Sequence, residues 1–311
     1  MLTLVVPVFR NEQSIPDLVQ AVKGLSEQVG VDFEAVFVDD GSPDKSRAIL
    51  EQMLPAAGFR SRLVLLSRNF GSFAAVRAGL AAGSGDYFAI MAADLQEPPE
   101  LILEFHKVLA EGAYDVVVGS RDGRADPLGS RLASALFWRT YRFIVQREVP
   151  AGGVDVFACT RRFRDEIMRL SERNSTLVGL IFWLGFRRSE VHYARRARRY
   201  GASAWSFRRK FRYLLDSTFA FSDLPIRLLS IAGIIGMSAA VVLGLMVLVA
   251  KLYGDIPVPG YAATVLVVMF FGGLNSFGIG VLGEYLWRTF ENTKDRPSYI
   301  AMNTLDFGGP K

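Results

Sequence analysis

Cysteine occurs once in the 311 residues, as Cys159, so no disulfide can close within the chain, and this usage fits a reducing compartment. Histidine occurs twice, as His106 and His192, which are far apart in sequence and show no metal-ligand spacing, so neither is assigned. No leader pattern is found either: Met1 runs directly into LTLVVPVF, and no signal peptide is expected before the first strand. Charge is missing over two long stretches. Leu228 to Ala250 and Tyr261 to Gly283 are each 23 residues without Asp, Glu, Lys or Arg. A helix of that length reaches roughly 35 Å, enough for the roughly 30 Å hydrocarbon core of a bilayer. Two such runs argue against a pair of buried helices in a soluble protein.

Apolar residues make up 50% of the chain, and these two runs concentrate much of that share. The spacer KLYGDIPVPG (251–260) is short and rich in Gly and Pro, so the runs form a hairpin. Arg227 precedes it and Arg288, Lys294 and Arg296 follow, whereas the spacer holds only Lys251 and Asp255. The positive-inside rule then puts both termini in the cytoplasm, with the hairpin in the cytoplasmic (inner) membrane. The expected division is a soluble cytoplasmic unit over 1–194, a basic juxtamembrane segment over 195–226, the hairpin over 227–289 and a cytoplasmic tail over 290–311.

Between Arg187 and Arg212 stand ten Lys or Arg and one acid, Glu190, interleaved with Trp205, Phe207 and Phe211. Nucleic acid is one partner for such a run. Its place just before a membrane hairpin favours anionic headgroups, worth about 1 kcal/mol per basic residue, so membrane lipids are expected and nucleic acid is not. Residues 130–145 look amphipathic and fit either the membrane surface or packing against the fold. In the second run Gly272, Ser276 and Gly280 stand four apart, a spacing that suits close helix packing.

Short β-branched or aromatic runs at 2–6, 34–38, 62–66, 86–91 and 115–118 alternate with helical patterns near 14–29, 44–54, 72–82 and 99–111. The alternation predicts an α/β fold with a parallel sheet covered by helices on both faces. Ligands of such sheets bind beyond the carboxyl ends of the strands. The polar segments there are PVFRNE (7–12), DDGSPD (39–44), SRNFGS (67–72), ADLQEP (93–98) and GSRDG (119–123), all at one sheet edge. DDGSPD alone also reads as a turn, with Asp44 as a helix cap. Beside ADLQEP it becomes a candidate nucleotide site, with Asp39 or Asp40 accepting bonds from a base or ribose. Asp94 would then take a divalent cation held on a diphosphate.

These motifs, with LSRNFGSFAAVRAGL, VVGSR, YGASAWSF, FAFSDLPIRL, LGEYLWR and RPSYI, resemble the family 2 inverting glycosyltransferases of the dolichyl- and polyprenyl-phosphate sugar synthase type. The resemblance covers nearly the whole chain. It implies a GT-A type, Rossmann-like, mostly parallel sheet and transfer of a sugar from a nucleotide sugar to a polyprenyl phosphate. By the same resemblance Pro7, Phe9, Glu12 and Ala93 line the nucleotide pocket and Asp40 reads the base. Asp94 and Gln96 match the metal and diphosphate residues, implying Mg2+ or Mn2+. Arg121 and Arg198 match the two arginines of the site, and Asp155 matches the acidic residue on the acceptor side. Arg198, Arg208 and Lys210 are the candidates for gripping the acceptor phosphate. UDP-glucose is the default donor, and a homo-oligomer is expected, a tetramer by resemblance.

Two departures stand out. The usual Asp-Ala-Asp begins here with Ala92, and the basic residue after Gly-x-Ser is Ala204. A hard cation on substrate phosphates needs only one or two carboxylates, so Asp94 can suffice. The competing readings are a catalytically impaired membrane scaffold that binds nucleotide sugars and a processive polysaccharide synthase. The second lacks a Gln-x-x-Arg-Trp motif and enough spans for a pore.

Overall fold

The computed structural model describes residues 1–121, 137–150, 152–172, 174–197, 199–200, 207–253 and 260–308. Strands β1 (Leu2–Val8), β2 (Phe33–Asp39) and β3 (Ser61–Leu66) run parallel in sequence order. Helices α1 (Ile15–Val29) and α2 (Ser46–Met53) link them, and α3 (Ser72–Ala82) returns the chain to β4 (Tyr87–Ile90), parallel on the far side of β1. The strand order therefore reverses between β1 and β4, which opens the crevice where open α/β sheets bind ligands. All of β1 except Pro7 is buried, as is all of β2, so these strands read as apolar runs rather than alternating ones. Helix α3 approaches this closely because its residues are small: a β-carbon on Gly79 would lie 2.2 Å from Val5 Cγ1.

The remaining strands make the sheet mixed. After α4 (Glu100–Ala110) come β5 (Val116–Arg121), α5 (described over 137–144), β6 (Phe157–Thr160), α6 (Arg161–Arg169), α7 (Leu177–Trp183) and β7 (Arg188–Tyr193). Strand β6 inserts antiparallel between β4 and β5, and β7 lies parallel to β5. The stretch expected as a tail forms β8 (Ala301–Phe307), antiparallel on β3, giving the eight-stranded order β7-β5-β6-β4-β1-β2-β3-β8. In α5 Tyr141 is fully buried, packed with Val145 and Phe157, while Phe143 faces solvent; residues 130–136 of the stretch read as amphipathic lie outside the described residues.

Helix α8 (Phe207–Phe221) leads into α9 (Leu224–Leu252) and α10 (Tyr261–Thr293). The stretches Leu224–Val247 and Val267–Thr293 have mean hydropathies of 2.3 and 1.4 and are long and apolar enough to cross a membrane. At 33 residues α10 is about 50 Å long, well beyond a bilayer core. Its last turns are tied to the rest of the fold: Arg288 bonds Asp216 of α8 at 2.8 Å and the Asn174 carbonyl at 3.2 Å, and Glu284 of its own helix at 2.8 Å. Within one chain the expected packing stripe does not meet α9. Gly272 and Gly280 face open space, and Ser276 bonds back to the Gly272 carbonyl within its own helix. The close approaches of α9 and α10 are instead at Gly236, against Phe271, and Gly278, against Leu229.

Candidate active site

The loops after β1 and β2 interlock. Asp40 donates its N–H to the Val8 carbonyl at 2.9 Å, and Glu12 accepts from the Lys45 N–H at 3.0 Å. Asp44 accepts from Ser46 N–H at 3.1 Å in a turn just ahead of α2, and from Glu12 N–H at 3.3 Å; the N-cap of α2 is Lys45, so Asp44 is not the helix cap expected of it. Gly41 must be glycine: its φ is +65° and a β-carbon would lie 2.6 Å from the Arg68 carbonyl carbon. Phe9 stands 39% exposed, with Arg10 5.4 Å above its ring, and Pro7 is half-buried. The ring offers a flat apolar surface to a base.

Asp39 and Asp40 are both buried at the end of β2. Burial pushes both carboxyls above the usual range, and only in part do their hydrogen bonds offset it. Asp39 accepts from Ser42 N–H at 3.3 Å. Asp40 is engaged by three donors of the loop after β3: Phe70 N–H at 2.7 Å, Gly71 N–H at 2.9 Å and the Asn69 amide at 3.0 Å. That geometry gives Asp40 a bracing role for residues 69–71.

Beyond β4, Ala92, Ala93 and Asp94 enter a tight turn with Leu95 at φ 53°, a conformation rare for a branched residue. Asp94 accepts from Gln96 N–H at 3.3 Å. Two residues of the basic stretch lie across this turn. Arg195 donates to Gln96 Oε1 at 2.7 Å, and the Arg196 N–H to the Gln96 carbonyl at 2.8 Å. Behind it Glu97 is 2% exposed, with Arg195 Nε at 3.4 Å and no hydrogen bond on either carboxylate oxygen. Burial raises its carboxyl to about 7, Arg195 opposes this, and the Asp155 and Asp94 charges add to it.

Asp155 completes the far wall. Arg121, at the end of β5, grips both its oxygens through Nε and Nη2, and the Tyr193 hydroxyl donates to it at 3.0 Å. The cap of α6 is Thr160, which accepts from Phe163 N–H at 3.4 Å, so Asp155 has no capping duty there. Arg198, Ala204 and the side chains of Arg208 and Lys210 lie outside the described residues. Sequence reasoning missed Glu97, Arg195 and Tyr193 as site residues. Glu97 was visible as the second carboxylate of its loop, whereas nothing in a run of ten basic residues singles out Arg195.

Among the described residues no group of three or more His, Cys, Asp or Glu could hold a metal alone. Asp94 supplies a carboxylate, Gln96 Oε1 already carries Arg195, and Glu97 lies buried behind them with two unbonded oxygens. This donor set suits a hard cation that brings most of its oxygens with it on a diphosphate.

The strand order, the acidic turn after β4 and the arginine after β5 define a GT-A type α/β protein with two apolar helices appended. Residues 3–170 match the model of Glycosyl transferase family 2, and the chain belongs to that family. It is 32% identical to the uncharacterized glycosyltransferase YkcC of Bacillus subtilis (strain 168), over 97% of this chain and 93% of that protein. It is 31% identical to the bactoprenol glucosyl transferase of Shigella phage SfV, over 97% and 98% of the two chains. Among solved structures it is similar to mannosyl-3-phosphoglycerate synthase from Rubrobacter xylanophilus, with TM-score 0.48, 16% identity and coverage of 70% and 72%.

Proposed function

We propose that this chain transfers a sugar, glucose from UDP-glucose in the first instance, to a polyprenyl phosphate on the cytoplasmic leaflet of the membrane. The observation that carries the reading is continuity. The similarity to bactoprenol glucosyl transferases runs over 97% of the chain, so it takes in the crevice and both apolar helices together. In this reading the soluble unit (1–194), the basic segment (195–226) and both termini face the cytoplasm, and the spans assemble copies into an oligomer.

The reaction is an in-line displacement. An acceptor phosphate oxygen attacks the anomeric carbon, the bond from that carbon to the diphosphate breaks, and the diphosphate leaves with the electron pair. A phosphomonoester with its second pKa near 6 is largely ionised at neutral pH, so no strong base is required. Asp155 suits that economy: bound to Arg121 and Tyr193, it holds the guanidinium in place more than it abstracts a proton. Arg121 and Arg195 stabilise negative charge as it develops on the leaving group. A divalent cation, Mg2+ or Mn2+, held at Asp94 with the diphosphate would supply further charge neutralisation. Gln96 joins it only by exchanging Arg195. On the nucleoside, Phe9 and Pro7 stack the base, Asp39 and Glu12 take its polar edge and ribose, and Ala93 borders the diphosphate. Arg198, Arg208 and Lys210 are proposed to take the acceptor phosphate.

The test is transfer of label from a panel of nucleotide sugars into undecaprenyl phosphate, with and without chelator. One donor giving chelator-sensitive organic-phase product is expected, and Asp94→Ala should abolish it. Nucleotide binding without product from any donor would leave the scaffold reading, which Ala92 favours, in its place.

A further inference from the structure

Asp155 stands in a loop whose back is clamped by an aromatic chain leading to the membrane-proximal helix. Residues 152–153 pass between two walls. On one side a β-carbon at Gly152 would lie 3.5 Å from the Arg121 carbonyl oxygen, so the loop rests on the end of β5. On the other, Gly153, at φ +78°, faces the indole of Trp138: a β-carbon there would be 2.1 Å from Cζ2. No other residue type fits that gap, and two residues later the chain presents Asp155 to Arg121 and Tyr193.

Trp138 is seated in turn. Its ring meets Tyr141 edge-on at 5.3 Å and Phe137 at 5.2 Å. Tyr141, fully buried, stacks on Tyr213 of α8 at 6.0 Å with the planes 20° apart. Helix α8 is anchored beyond that point: Ser217 bonds Thr176 at 3.3 Å, Phe221 fills the space over Gly179, and Asp216 holds Arg288 of α10. A continuous packed path thus joins the apolar helices to the loop of Asp155. Close-packed rings of this kind transmit displacement because they have no slack to absorb it.

We propose that Trp138 and Tyr213 are positioning residues for the acceptor side of the site, setting Asp155 and Arg121 in register with the docking of α8. Neither ring reaches the Asp155 carboxylate; they act through the 152–155 loop. The assignment rests on the proposed transfer reaction for its catalytic consequence, and on contacts alone for its structural one. A contiguous path is a spatial fact, and coupling along it is what experiment must measure.

The experiment uses the full chain in anionic nanodiscs and compares wild type, Trp138→Ala, Trp138→Phe, Tyr213→Ala and Tyr213→Phe. Two readouts are taken: hydrogen exchange of the peptide spanning 152–156, and steady-state transfer with UDP-glucose and undecaprenyl phosphate. Trp138→Ala and Tyr213→Ala should speed exchange at 152–156 while leaving β1–β3 and UDP affinity unchanged. Their kcat should fall by on the order of 100-fold, the scale of a 1 Å misplacement, with the donor KM held. The phenylalanine variants, which keep a ring, should recover most of both. Unchanged exchange in the two alanine variants would overturn the proposal whatever the activity. So would an activity loss that tracked a lowered melting temperature and lost UDP binding. Absence of transfer by the wild type would defeat the reaction proposed above, while the exchange readout would still decide the path.

Discussion

Replacing Asp40 by asparagine separates two roles for the buried acid at the end of β2. Its two oxygens serve different donors: Oδ1 takes Phe70 N–H, and Oδ2 takes Gly71 N–H with the Asn69 amide. An asparagine has one acceptor oxygen, so in either orientation its NH2 group faces a backbone N–H. A hydrogen bond to a charged group is worth about 1.5–3 kcal/mol, and a buried donor left without a partner costs about 1–3 kcal/mol. Against this, the amide no longer buries a charge, whose cost shows in the raised carboxyl of Asp40. The balance is a net loss of about 2 kcal/mol, taken by the 69–71 loop rather than by the whole sheet. If that loop must be docked for nucleotide to bind, affinity falls roughly 30-fold. The assay is calorimetric titration of Asp40→Asn with UDP and GDP, beside a thermal melt. Both nucleotides should weaken by similar factors. UDP affinity within twofold of wild type would refute the bracing argument, and a loss confined to one base would show that Asp40 reads the base instead.

Two further outcomes follow from buried groups. Glu97 has its carboxyl raised from 4.5 to about 7, so its protonated form is favoured in the fold, and stability is lost as pH rises from 4.5 to 7. That loss amounts to about 3 kcal/mol at most, and Glu97→Gln should lack it, in part offset by the partner Arg195 loses. Melting temperatures in chelator should diverge between pH 4.5 and 7 and then run parallel; parallel curves throughout would count against the burial argument. Cys159 is fully buried in β6, and burial pushes its thiol well above the ordinary range. Iodoacetamide at pH 8 should therefore label it only as fast as the chain unfolds, and stoichiometric labelling of the native protein within minutes would contradict this.

Much of the architecture is legible in the sequence. The first five strands were visible because strands buried on both faces are apolar runs bounded by turn residues. The two apolar helices were visible because each is a long stretch without charge, long and apolar enough to cross a membrane. Strands β6, β7 and β8 were not, and each has a reason. FACT is only four residues long, RSEVHY puts an Arg and a Glu among its six residues, and AMNTLDF is mostly exposed at a sheet edge. What makes them strands is the neighbour each pairs with, and pairing is non-local.

The site divides in the same way. Sequence alone determined which loops meet at one end of the sheet, because in a parallel α/β fold every strand's carboxyl end points the same way. It thereby placed Phe9, Asp39, Asp40, Asp94 and Arg121 together. Only the tertiary structure decided what each carboxylate is bound to. Asp40 turns to its own 69–71 loop, Asp155 to Arg121 and Tyr193, and Glu97 lies buried beneath Arg195 from nearly a hundred residues away. Local spacing fixes which backbone a residue rides on, but a side chain's partner is set by distance and burial, and those exist only once the chain has closed on itself.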